Sequence, residues 1–304
     1  MKHKELSYIL IATLFQGLLF LYPLSGNTGI LFILFYFCPL PLFYIGSAWG
    51  YKYLCITSMI TIAVISIYGL KLAIAYALIF ALPAIFFSYY LNLHKESENG
   101  DLIWYPINLI FSKLVILSLL LVTVIILYLG LNIQEYQNTI SSIYSNIYQI
   151  RPDLELTLEI NNLGIMSASL PSIFVTFWII IFTVNLWLGL KLSQKLGNLR
   201  RTWQSFDKIT LSRTHVYILG FALIVAFLGN GLLMIIATSC SVALLVGYTI
   251  NGLSVIHYIT TANKYRSLIL TSIYVMITLF APLLIPLTIV GILDYKNTLR
   301  EKFK

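Results

Sequence analysis

Apolar residues run along this chain in long blocks, and short polar punctuation separates them. One block covers residues 7–24, and the turn SGNTG (25–29) leads into a second over 29–48. Further blocks cover 53–69, 72–91 and 108–130, the last preceded by the polar stretch NLHKESENGDLIWYP (92–106). After a hydrophilic segment at 131–166 come 168–190, a basic stretch at 191–215, then 216–236, 240–262 and 267–292. A membrane-crossing helix needs about 20 mostly apolar residues. The pattern therefore predicts an all-α, polytopic transmembrane helical bundle of eight or nine spans, forming one integral membrane domain over 1–304. Two places predict irregularity: Pro39 and Pro41 should kink the second span, and Pro282 and Pro286 should interrupt the last. The two blocks on either side of Thr238-Ser239-Cys240 should be separate helices joined at that turn.

One polar segment has a period of its own. Ile133, Tyr136, Ile140, Ile143, Ile147 and Ile150 recur at spacings of three and four, which predicts an amphipathic helix ended by Pro152. Such a helix either lies on a leaflet or caps the bundle.

Composition narrows the class. The 304 residues are 59% hydrophobic and 10% charged, whereas soluble domains carry about 25% charge. The surface of a soluble enzyme or nucleic-acid-binding domain cannot be built from so few charges. The net charge of +8 belongs to topology, because Lys and Arg gather in cytoplasmic loops. The 191–215 loop carries Lys191, Lys195, Arg200, Arg201, Lys208 and Arg213 against Asp207, and is expected to be cytoplasmic. The 131–166 loop carries Arg151 against Glu135, Asp153, Glu155 and Glu159, and is expected to be extracytoplasmic. Lys2 and Lys4 put the N-terminus inside. Nine full spans would then place the basic tail, with Lys296, Arg300, Lys302 and Lys304, on the wrong side.

Chemistry is sparse. Cys38, Cys55 and Cys240 lie in apolar stretches with no C-x-x-C, and His3, His94, His215 and His257 show no metal-ligand spacing. No metal and no cofactor are expected. No Asp or Glu falls in mid-span, and no G-x-S-x-G, Walker loop or H-E-x-x-H occurs, so an enzyme is not expected. The most polar span contains Gly247, Asn251, Ser254 and Tyr258 on one helical face, with His257 beside it. Asn185 lies six residues before Lys191, and His257 seven before Lys264. If both ends are cytoplasmic, the two side chains sit about 9–10 Å deep, at about 1.5 Å per residue. Asn185, Asn251, Ser254 and His257 are thus the candidate ligand-binding residues. The plainer alternative is interhelical hydrogen bonding that holds the bundle together, worth about 0.6–2 kcal/mol per contact. Ala73, Ala77 and Ala81, and Gly46 with Gly50, supply small-residue seams.

Four stretches carry a family resemblance: CPLPLFYIGSAWG (38–50), LPSIFVTFWIIIFTVNLWLGLKL (170–192), NGLSVIHY (251–258) and GILDYKNTLR (291–300). Together they resemble the YybS-like family of bacterial membrane proteins, which is distantly similar to the substrate-binding S components of energy-coupling-factor transporters. The resemblance implies a multi-pass protein of the bacterial inner membrane and a helical bundle that binds a small solute. Two functions follow as expectations: a solute-binding, transport-related module, or a non-catalytic scaffold for envelope proteins. The expected partners are the lipid bilayer, a small-molecule solute and another membrane protein, with no nucleic acid.

Overall fold

A computed structural model describes residues 3–22, 34–150, 160–296 and 298–302. It is helical almost throughout. In chain order the helices are α1 (His3–Leu21), α2 (Leu40–Ala48), α3 (Tyr51–Ser66), α4 (Leu70–Tyr76) and α5 (Leu82–Asn92). A hairpin of β1 (His94–Glu96) and β2 (Leu102–Trp104) follows. Then come α6 (Ile107–Leu129), α7 (Ile133–Ile150), α8 (Ile160–Lys195), α9 (Arg213–Leu228) and α10 (Gly231–Ile259). The chain closes with α11 (Arg266–Leu279), α12 (Leu284–Leu293) and the short α13 (Thr298–Lys302). Among the described residues four stretches are long and apolar enough to cross a membrane: Leu70–Asn92, Ile107–Leu129, Ser167–Lys195 and Gly231–Ile259. Six more apolar helices are shorter than 18 residues. Large side chains such as Phe227, Tyr128, Leu279 and Ile67 are more than four-fifths exposed, a surface suited to lipid and not to water.

The chain divides into two compact units. The first comprises Met1–Phe111 and Ile180–Phe206, the second Ser112–Ile179 and Asp207–Lys304.

In the first unit, small residues allow helices to meet closely. A Cβ on Gly46 would collide with the Ser88 side chain, and one on Gly189 would meet Phe43. Pro39 and Pro41 do not kink a helix: Pro39 caps α2 and Pro41 lies in its first turn, where a missing N–H costs nothing. Of the alanine ladder, Ala73 and Ala81 are buried while Ala77 is half-buried. A π-helical turn over Ala77–Ala81 shifts the register there and brings Tyr76 and Phe80 inward.

The second unit corrects one expected boundary. Thr238-Ser239-Cys240 lies inside α10, and the break falls at Gly229-Asn230. Ser239 and Ser241 donate to the carbonyls of Ile235 and Ala237, four residues back, so these hydroxyls are satisfied within a continuous helix. At the true break, Asn230 is extended and Gly231 has φ +59°. The interruption expected at Pro282 is present: Ala281–Leu283 forms a 3₁₀ turn between α11 and α12. The amphipathic α7 spans its expected range. Tyr136 and Ile140 are buried, and the Tyr136 hydroxyl donates to the Ser167 carbonyl at 2.7 Å, but Ile143 is exposed. The Ile147 and Ile150 side chains, and Pro152, lie outside the described residues.

Candidate functional site

One group of polar side chains buried in the first unit lies beside a set of aromatic rings. α1 carries Thr13, Gln16 and Phe20 along one face, and α3 brings Thr57, Ser58 and Thr61 against it. Gln16 Oε1 accepts from the Thr61 hydroxyl at 3.1 Å and the Tyr76 hydroxyl at 2.9 Å. Phe20 meets Tyr76 (centroids 5.2 Å apart) and Phe80 (6.1 Å), while Phe80 meets Phe35 (5.6 Å) and Phe182 (6.3 Å). One turn beyond Phe182, Asn185 donates to the carbonyls of Tyr36 and Ile181, each at 2.7 Å. Two amides thus accompany the ring cluster, Gln16 through Tyr76 and Asn185 one turn after Phe182 in sequence. Both amides keep one group unspent: Gln16 Nε2 and Asn185 Oδ1 are buried without a hydrogen-bond partner, as are the hydroxyls of Thr13 and Ser58. A buried donor or acceptor left unmade costs about 1–3 kcal/mol, so a guest that satisfies these groups gains from doing so.

The second unit treats its polar residues differently. Arg300 on α13 is buried, and its Nε donates to Asp294 Oδ2 at 2.9 Å. Its Nη1 and Nη2 reach the carbonyls of Asp207 and Ile209, each at 2.6 Å, and Nη2 reaches Asn251 Oδ1 at 3.3 Å and Ser254 Oγ at 3.2 Å. Asn251 in turn donates to the Gly291 carbonyl at 2.8 Å, and Ser254 to that of Ile209 at 3.1 Å. Asn251 reaches Gly291 because α10 and α12 meet through glycines. A Cβ on Gly252 would strike the Leu287 carbonyl, and one on Gly291 the Tyr248 carbonyl. Burial pushes the Asp294 carboxyl above its usual range, against the opposing pull of Arg300.

Each of the candidate residues is described within its own unit. Asn251 and Ser254 come together, on Arg300. His257 bonds the Tyr274 hydroxyl at 2.9 Å, and Asn185 belongs to the other unit. Sequence analysis missed Gln16, Tyr76, Asp294 and Arg300. The i, i+3, i+7 spacing of Thr13, Gln16 and Phe20 was a usable signal for the first. Arg300 gave none, since a tail arginine looks like a topology marker. Among the described residues no group of three His, Cys, Asp or Glu side chains is placed to hold a metal.

Apolar helices with lipid-suited surfaces define an α-helical membrane protein. The chain belongs to the DUF2232 family, described as a predicted membrane protein, whose pattern matches residues 10–295. The YybS-like proteins fall in that family. No curated protein and no solved structure matches the chain.

Proposed function

We propose that the protein is a non-catalytic, multi-pass protein of the bacterial inner membrane that holds a small uncharged solute in its first unit, as part of a transport process. The observation that carries this reading is the ring cluster of Phe20, Phe35, Tyr76, Phe80 and Phe182, with unspent amide groups on Gln16 and Asn185. Small-molecule sites are mostly apolar and aromatic, with a few converging polar groups that set orientation. Gln16, Thr61, Tyr76 and Asn185, the hydrogen-bonding side chains described beside these rings, are neutral, which fits an uncharged solute. The distant resemblance to transporter S components points the same way. No reaction is assigned, because no nucleophile–base pair or metal set accompanies the cluster. The 191–215 loop faces the cytoplasm in this reading, and labelling of a Ser205→Cys variant by an impermeant reagent in intact cells would refute that orientation.

A second reading, a scaffold for envelope proteins, is favoured by the Arg300 cluster, where Asn251 and Ser254 are occupied by protein partners. One experiment separates the two. Protein purified from native membranes is analysed by mass spectrometry for bound small molecules and proteins, alongside Gln16→Leu and Asn185→Leu variants. A small molecule bound by the wild type and lost from both folded variants supports the solute site. A stoichiometric protein partner without any small molecule supports the scaffold and removes the solute reading.

A further inference from the structure

Outside the apolar stretches, the first unit has an open cleft of about 550 Å³ between the β1–β2 hairpin and the basic loop that follows α8. Asp101, Leu102, Trp104, Arg200, Arg201 and Thr202 line it. Its two cations are held in different ways. Arg200 is exposed, and its Nη1 donates to the Trp49 carbonyl at 2.9 Å. Gly50, at φ +100°, leaves room for that guanidinium, which a Cβ would strike. Arg201 is only 6% exposed. Its Nη2 donates to the Tyr105 carbonyl (2.8 Å) and Gln204 Oε1 (2.9 Å), and its Nη1 faces the Leu91 carbonyl at 3.4 Å. All three acceptors are neutral, and among the described residues no carboxylate lies within ion-pair distance of either arginine. Burial without a countercharge lowers the Arg201 pKa to about 10. A buried cation at the wall of an open cleft favours an anion entering that cleft.

The surroundings identify where the anion comes from. Around this end of the unit Tyr and Trp rings gather: Trp49 meets Tyr8 (5.0 Å) and Tyr44 (5.5 Å), Tyr90 meets Tyr89 (5.5 Å) and Tyr105 (5.1 Å), and Trp104 meets His94 (4.8 Å). Tyr and Trp concentrate at the level of lipid headgroups. A phosphate at that level belongs to a lipid. The exposed carboxylate of Asp101 adds a third feature, because it would repel a plain anion but would attract a cation carried beside the phosphate. We propose that this cleft binds the zwitterionic headgroup of a phosphatidylethanolamine, with its phosphate on Arg200, Arg201 and Thr202 and its ammonium on Asp101. The ammonium has N–H donors for Asp101, which a choline headgroup lacks, and phosphatidylglycerol has no cation to offer.

Native mass spectrometry of the full chain in detergent, titrated with phosphatidylethanolamine, phosphatidylglycerol or phosphatidylcholine, tests this. The wild type is expected to retain phosphatidylethanolamine best. Asp101 and Arg200 are exposed, so their substitution leaves the fold in place, which thermal unfolding checks. Asp101→Asn should cut the preference for phosphatidylethanolamine over phosphatidylglycerol about threefold, the scale of an exposed ion pair. Arg200→Gln should weaken both lipids alike, by about tenfold, as loss of a charged hydrogen bond does. Equal retention of the three lipids by the wild type, or an unchanged preference in Asp101→Asn, overturns the proposal. Displacement of the lipid by free O-phosphoethanolamine at equal concentration would assign the cleft to a soluble phosphomonoester and overturn the lipid assignment.

Discussion

Arg201 and Arg300 are both buried arginines outside the apolar helices, one in each unit, and they are compensated in opposite ways. Arg300 has a carboxylate, two carbonyls, an amide and a hydroxyl from its own unit, so its charge is answered internally. Arg201 has two carbonyls and an amide oxygen, all neutral. A closed cluster of this kind fixes structure: it ties α13 and the 207–209 loop to α10. An open one leaves field in the neighbouring cleft that a ligand can use. Burial alone therefore does not distinguish a structural arginine from a binding one; the charge of its partners does.

The largest expected effect breaks the closed cluster. Arg300→Met strands the Asp294 carboxylate and removes the donor that Asn251 Oδ1 uses, and should cost about 3–5 kcal/mol, measured as unfolding of the detergent-solubilised protein. Replacing both members, Arg300→Met with Asp294→Leu, should recover a large part of that loss. If the double variant is no more stable than the single, the ion pair is not the source of the cost. Gly291→Ala attacks the same cluster through packing. Its methyl meets the Tyr248 carbonyl, forces α10 and α12 apart and withdraws the carbonyl that Asn251 uses, for about 1–3 kcal/mol. Gly220→Ala in α9, where a Cβ meets open space, should instead be neutral or stabilise by up to about 1 kcal/mol.

Arg201→Met should cost less than Arg300→Met, about 2 kcal/mol, because it strands carbonyls and no carboxylate. Equal losses at the two arginines would erase the contrast between the units. The smallest effect sharpens it through pH. The Asp294 proton is held more tightly in the folded chain than in the unfolded one, so the ionised carboxylate carries a cost. That cost is present above the folded pKa and is removed as pH falls towards the ordinary carboxylate range. The stability of the wild type relative to Asp294→Asn should therefore shift in favour of the wild type between pH 7 and about pH 4. The difference between the wild type and Arg201→Met should stay flat over that interval, since neither Arg201 nor a paired carboxylate titrates there.

Local features of this fold were legible and distant ones were not. The 3.6-residue period at 133–150 depends on neighbours three and four positions apart, and α7 begins and ends where that period does. Leu70–Asn92 and Ile107–Leu129 follow directly from long, mostly apolar runs. The Gly229-Asn230 break was missed because Thr238-Ser239-Cys240 looks like a turn in a hydropathy pattern, whereas serine hydroxyls are satisfied by carbonyls one turn back. Asn251 was legible as a mid-span amide in need of a partner, but Gly291, 40 positions away, was not visible as that partner. The conflict over the basic tail rested on counting every cation as exposed. Arg300 is buried and occupied, so it is a poor witness to sidedness.

The broken segment near the C-terminus has a consequence for how the chain meets membranes of different thickness. α11 has no buried residue, while α12 tucks Leu287 and Gly291 inward. At 14 residues α11 rises about 21 Å, short of a hydrocarbon layer about 30 Å thick. Among the described residues it meets its own unit through Tyr274 on His257 and buries none of its side chains, so its apolar surface is open to lipid acyl chains. A thinner bilayer fits α11 at less mismatch than a thick one, while α12 stays anchored by its glycine contact with α10. Growth temperature and acyl-chain length, which set bilayer thickness, therefore act directly on this segment.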